Sequence, residues 1–310
     1  MALADTVFDS HQVKARARLM RLEIIKMLTL AGSGHPGGSL SAADIVATLY
    51  FGGVMRHDPE NPDLPDRDRF ILSKGHAAPV QYAALALAGY FDRGKLATLR
   101  KLGSCLQGHP DAAKCPGVEV STGSLGQGLS IAAGLAQGLQ LAGTTTPAAD
   151  PGQTAGRTPP RVYVLLGDGE LQEGQVWEAA LYAAHYGLDN LVAIVDRNGL
   201  QIDGQTESVM ALGDVAAKFA DFGWDVDSVD GHDVNALYAA LTTPNAAKRP
   251  RVIVARTVKG KGVSFMENQA GWHGNAPSAE QCEQAVSELQ AGEDGAAATP
   301  ATTSMGGDGA

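Results

Sequence analysis

Residues 11–31 place Val13, Ala17, Met20, Ile24, Met27 and Leu28 near helical spacing, and this predicts an amphipathic helix leading into a glycine-rich turn. A second helix is predicted to start at Ser39 or Ser41. Further along, the apolar pattern changes. Residues 162–166, 191–196 and 252–257 are short, nearly continuous runs of Val, Ile, Leu and Ala, and "FILS" at residues 70–73 is a fourth. Such runs, bounded by Gly, Pro or polar residues, read as strands buried on both faces. Helical patterns over residues 175–186 and 234–241 alternate with them. The alternation predicts an α/β fold, a mainly parallel sheet with helices on both faces.

The polar stretches set the limits of this unit. "RHDPENPDLPDRDRF" at residues 56–70 reads as a surface loop. Residues 142–160, "AGTTTPAADPGQTAGRTPP", hold almost nothing that could build a core and predict an exposed flexible insertion; residues 291–310 predict a disordered tail. One domain over residues 1–290 is the expectation. The formal charge of -10 and the absence of a long Lys/Arg run argue against nucleic acid or an anionic membrane as the main partner. No apolar run approaches membrane-spanning length and the first twenty residues lack a signal-peptide core, so a cytoplasmic location is expected. Three cysteines, Cys105, Cys115 and Cys282, are too few and too scattered for a disulfide framework or a closed zinc site.

Chemistry concentrates where the predicted strands stop. In "RVYVLLGDGELQEG" (161–174) an apolar run ends in a glycine elbow, which at the carboxyl end of a parallel strand offers backbone amides to a phosphate. Asp168 in that elbow repels a bare phosphate, so the stretch asks for a cation as well. Thirty residues later "NLVAIVD" ends in "RNGLQIDG", and one βαβ crossover is enough to bring Asn198 beside Asp168. A carboxylate, an amide oxygen and a turn carbonyl such as that of Leu200 are hard ligands that suit Mg2+ (with Ca2+ or Mn2+ as substitutes), leaving room for a diphosphate and water. Four of the eight histidines, His35, His76, His109 and His273, sit in Gly- or Pro-containing turns, where an imidazole projects into a cleft and can move protons near neutral pH. His232 belongs to a turn whose Asp233 caps the next helix. His11, His57 and His185 read as surface or packing residues. "GSGHPG" (32–37) matches the dinucleotide fingerprint by letter, but it follows a helical pattern instead of a strand, and that context removes the match.

"GDGELQEG" followed by "DRNGLQIDG" resembles the thiamine-diphosphate motif, and "SGHPGGSLS", "LSKGHAAP", "GHPD", "STGSLGQGL", "RTVKGKG" and "GWHGNAP" resemble transketolase motifs in transketolase order over residues 10–285. The resemblance implies the diphosphate-binding half of a transketolase. It implies that Asp168, Asn198 and the Leu200 carbonyl hold the metal, and that Gly123, Ser124, Leu125, Gly169, His76, Asn198, Lys259 and His273 contact thiamine diphosphate. It assigns His35, His109 and His273 to the hydroxyl groups of the donor sugar, and Glu173 to a place near a partner subunit. In the family a glutamate from a following pyrimidine-binding domain activates the cofactor, so the resemblance also implies a separate C-terminal subunit. Sugar-phosphate substrates and a heterotetramer belong to the same expectation. Two other readings stay open here: a degenerate cofactor-fold module acting as scaffold or regulator, and the N-terminal half of another enzyme of this cofactor, such as a deoxyxylulose-phosphate synthase.

Overall fold

A computed structural model of the chain describes residues 7–145, 160–244 and 248–297. The expected insertion therefore lies outside the described residues, apart from its first four residues and Pro160; residues 142–145 complete a helix. Residues 291–297 of the expected tail are also helical. Both corrections have one physical source: extending an existing helix costs far less than nucleating one, so a weakly helical sequence follows the helix it adjoins.

Helix α1 (Ser10–Ala31) begins at Asp9, whose carboxylate accepts from the His11 and Gln12 amides, and ends at Gly32, which takes the left-handed conformation at φ 64. The next helix, α2 (Pro36–Ser41), starts earlier than expected because Pro36 occupies its first turn, where a missing N–H costs nothing. The chain continues through α3 (Ala43–Phe51), β1 (Arg69–Leu72), α4 (Ala78–Ala88), α5 (Gln127–Thr145), β2 (Val162–Gly167), α6 (Gly174–His185) and β3 (Leu191–Arg197). A small antiparallel ribbon follows, made of β4 (Leu200–Gln201) and β5 (Gly204–Gln205). Helices α7 (Thr206–Val209) and α8 (Val215–Asp221), β6 (Asp225–Asp230), α9 (Val234–Thr242), β7 (Arg251–Arg256) and α10 (Ala279–Ala297) complete the order.

The main sheet has five parallel strands in the order β1-β2-β3-β7-β6. Successive residues of a strand face opposite sides, and the two cores follow that alternation. Tyr163, Leu165, Val192, Ile194 and Ile253 join one cluster with α1, α3, α4 and α9; Val162, Val164, Ala193, Val195 and Val252 join the other with α5, α6 and α8. Strand β6, "DVDSVD", has no counterpart among the expected strands, because three aspartates in six residues hide a strand pattern; it lies at the sheet edge, where one face of its backbone needs no apolar cover. No helix among the described residues is long and apolar enough to cross a membrane. Since all five strands run the same way, the loops after β1, β2, β3 and β7 gather at one end.

Candidate active site

A cavity of about 330 Å³ opens at that end. Its walls bring together His35, His76, Gly123, Leu125, Asp168, Gly169, Glu173, Asn198, Leu200, Lys259 and His273 from seven separate stretches of sequence. Two expected residues stand off the wall. Ser124 is exposed, and His109 lies on the rim with its ring packed on Gly123, where a Cβ would meet the imidazole at 3.0 Å.

The elbow after β2 and the turn after β3 are in direct contact. Asp168 is buried; one carboxylate oxygen accepts from the Gly169 amide at 2.8 Å, the other from the Gly199 amide at 2.6 Å and from Arg197 at 3.3 Å. Burial, reinforced by nearby Asp196, raises its pKa, against the opposing pull of Arg197 and the two amides. Asn198 donates to Asp196 at 3.2 Å, and its amide oxygen accepts from the Leu200 amide at 3.1 Å. The Leu200 carbonyl accepts from the Lys259 ammonium at 3.0 Å. That ammonium also donates to Nδ1 of His273 at 2.9 Å, which leaves the proton of His273 on Nε2. Burial, with Lys74 nearby, lowers Lys259 to about 8.

Three imidazoles cluster on the wall beside Lys259. The ring centroids of His35, His76 and His273 lie 5.2, 5.5 and 5.0 Å apart in pairs. Burial is the leading cause of a lowered pKa in each. Arg100 adds to the effect on His35, which falls to about 4, and Lys259 to that on His273, which falls to about 3. Lys74 adds to the effect on His76, which falls well below its ordinary value. Burial and Arg100 likewise lower His109. At neutral pH these rings are uncharged, with one N–H and one acceptor nitrogen each; the acceptor of His273 is taken by Lys259. Nδ1 of His35 is buried and has no hydrogen-bond partner among the described residues. A ligand hydroxyl would satisfy it.

Residues matched to the thiamine diphosphate binding domain of transketolase run from 11 to 298. The chain belongs to the transketolase family. Among its curated relatives, the 6-deoxy-6-sulfo-D-fructose transketolase subunit SqwG of Clostridium sp. (strain MSTE9) is 41% identical over 90% of this chain and 95% of its own length. One subunit of the apulose-4-phosphate transketolase of Phocaeicola vulgatus is 40% identical over 87% of this chain and 90% of its own length. The human transketolase is 42% identical over 89% of this chain, which spans only 42% of that protein. Among solved structures, the transketolase of Campylobacter jejuni superposes with a TM-score of 0.82 at 32% identity, covering 91% of this chain and 43% of that one. The α/β architecture and the thiamine-diphosphate-binding domain are thereby those of the transketolases.

Several groups that organise this transketolase site are not legible as site residues in the sequence. Asp196 is fully buried and accepts from Lys74, from Ser41 at 2.6 Å and from Thr257; the Lys74 ammonium also donates to the Gly38 carbonyl at 2.8 Å. Burial works against the charge on Asp196, but the ammonium and the hydrogen bonds outweigh it and its pKa is lowered. Glu170 accepts from the Gly126 and Gly167 amides, both at 2.9 Å, and from Ser73, and so ties the glycine turn before α5 to the elbow after β2. Glu173, expected near a partner, is exposed on this chain, and its side chain packs where a Cβ on Gly126 would come within 2.7 Å. Gln201, Ile202 and Asp203 of the β4–β5 ribbon also line the cavity.

Proposed function

We propose that this chain is the thiamine-diphosphate-binding subunit of a two-chain transketolase, which moves a two-carbon ketol unit from a ketose to an aldose acceptor once a C-terminal subunit supplies the pyrimidine-binding domain. The observation that carries the reading is the bonded contact between the Asp168 elbow and the 198–200 turn, which collects a carboxylate, an amide oxygen and a carbonyl beside one lysine in one cleft. The donor set fits Mg2+ shared with a diphosphate: all three oxygens are hard, and the carboxylate is buried at the end of a strand where the three meet. Asp168, Asn198 and the Leu200 carbonyl would hold the ion. Lys259 and the backbone at Gly123, Leu125 and Gly169 would hold the diphosphate. When bound, the cofactor supplies the nucleophilic carbon that accepts the ketol unit.

The chain's own residues do the rest. The neutral rings of His35 and His273 would face the sugar hydroxyl groups: His273, whose Nδ1 accepts from Lys259, presents its Nε2–H, and Nδ1 of His35 has no partner among the described residues. The relatives named above act, by their names, on a sulfonated fructose and on apulose 4-phosphate. Both substrates end in an anion, and we infer for this chain a ketose carrying a terminal phosphate or sulfonate. Glu173, exposed here, would meet the second subunit, and two such pairs would make a heterotetramer.

The test is reconstitution. The purified chain, with thiamine diphosphate and Mg2+, is assayed for aldose release from a ketose phosphate alone and again with the candidate C-terminal subunit. Turnover only in the second assay is expected; full turnover by the lone chain would sink the two-chain reading.

A further inference from the structure

The turn "DGHD" carries His232, which lies outside the cleft and is half-buried between Asp44 and Val258. Its two ring nitrogens are both engaged, with opposite roles. Nε2 accepts the backbone N–H of Val258 at 2.9 Å, so the ring proton is on Nδ1, which donates to Asp44 at 2.7 Å. Asp44 is in turn paired with Arg21 of α1, both side chains at or below 9% exposure. Burial alone would favour a neutral Asp44, but Arg21 and His232 outweigh it and hold the carboxyl at about 2. The aliphatic part of Arg21 reaches the same loop from the other side: a Cβ on Gly262 would meet its Cδ at 3.3 Å.

Val258 immediately precedes Lys259. The loop is clamped further by the Gly260 amide on the Gly37 carbonyl at 3.0 Å and by the Asn268 amide on the Lys259 carbonyl at 2.9 Å. Each of these bonds fixes a peptide plane, and the plane between Val258 and Thr257 has His232 as its acceptor. A lysine whose stem is buried can aim its ammonium only as well as its own backbone is held.

We propose that His232, oriented by Asp44 and Arg21, is a positioning residue that fixes the Val258 peptide and thereby aims the Lys259 ammonium into the diphosphate end of the cleft. This rests on the reading of the cleft given above and adds a residue to it. Gln and Asn divide the two functions of the ring. A glutamine oxygen reaches the place of Nε2 and can accept from Val258; an asparagine reaches only the place of Nδ1 and keeps the Asp44 contact alone.

The experiment uses the full chain and a water-soluble acetylating ester, with modification at Lys259 followed by peptide mass spectrometry and folding checked by circular dichroism. In the wild-type chain Lys259 is 2% exposed, so slow labelling is expected. In H232A and H232N the rate is expected to rise about tenfold, the factor for loss of one net hydrogen bond of ~1.4 kcal/mol, while H232Q stays near the wild type. Equal labelling in all four chains overturns the proposal, and so does rescue by H232N in place of H232Q. Protection of wild-type Lys259 by thiamine diphosphate with Mg2+ is measured in the same samples. Its absence counts against the cofactor reading and leaves the role of His232 to be judged on the variants.

Discussion

Lys74, just beyond β1, and Asp196, at the end of β3, form a buried ion pair that passes beneath the end of β2, the strand between them. The pair ties together the two strands that flank the Asp168 elbow. It also places a fixed positive charge under the cleft, one cause of the lowered pKa values of His76 and Lys259.

Removing one member of such a pair leaves the other charged and dry. Lys74→Met is therefore expected to destabilise the chain by about 3–5 kcal/mol. Urea unfolding with matched slopes measures it; a loss under about 0.5 kcal/mol, the range of ordinary surface substitutions, would show that the fold does not depend on the pair.

Asp168→Asn keeps the size of the side chain and removes its charge. Thiamine diphosphate binding that depends on Mg2+ is expected to disappear, read by calorimetry on the reconstituted pair. Because Asp168 also accepts from the Gly169 and Gly199 amides, a stability loss of about 1–3 kcal/mol accompanies the larger change Asp168→Ala. Wild-type affinity in Asp168→Asn would remove Asp168 from the metal site.

The cleft histidines make stability depend on pH. Folded values of about 4 for His35 and about 3 for His273 lie below the ordinary value of 6.5, so the unfolded chain takes up protons first as pH falls. Their contribution is complete above about 6.5 and is lost progressively down to about 3. The melting temperature of the wild-type chain should therefore drop between pH 7.5 and 5, and less so in His35→Asn/His273→Asn. In the reconstituted enzyme each single substitution should lower turnover by about 10²- to 10⁴-fold, the range for a true acid–base group, with cofactor affinity changing less. Identical melting profiles in the double variant and the wild type would contradict the assignment.

Gly37 allows Lys259 to reach the cleft. A Cβ at residue 37 would stand 2.9 Å from Cγ of Lys259 and 2.9 Å from the Trp272 carbonyl. Gly37→Ala is expected to displace the lysine and weaken thiamine diphosphate binding about tenfold, equivalent to one charge-assisted hydrogen bond of ~1.4 kcal/mol. Equilibrium titration followed by intrinsic fluorescence would report it, and an unchanged affinity would mean that the α2 backbone gives way instead.

The buried strands and the helices between them are plain in the sequence because continuous Val/Ile/Leu runs have few alternatives at that length. Asp168 and Asn198 stand out as candidates, since each stands where an apolar run meets a glycine turn; Lys259 stands out through the motif resemblance. Asp196 and Lys74 are not. A charged residue near the end of a strand looks the same in one dimension whether it faces water or a buried partner 122 residues away. His232 is legible as a turn residue, and Asp233 does cap α9, but the bond from His232 to Val258 joins two separate strand ends and leaves no trace in local spacing. Residues 291–297 mislead for a different reason: small and polar composition describes a segment by itself, not one grown from a helix already formed.

Strand β6 has its outer row of backbone groups facing away from the sheet, and it carries Asp225, Asp227 and Asp230 along that margin. Arg251 and Arg249 compensate Asp227 and Asp225 from the inner side. Asp230 stays exposed there, and a charged side chain on an edge strand is unfavourable for pairing with a second edge. The same carboxylates that hide the strand from a reader of the sequence thus leave the free edge of the sheet poorly suited to taking on another strand.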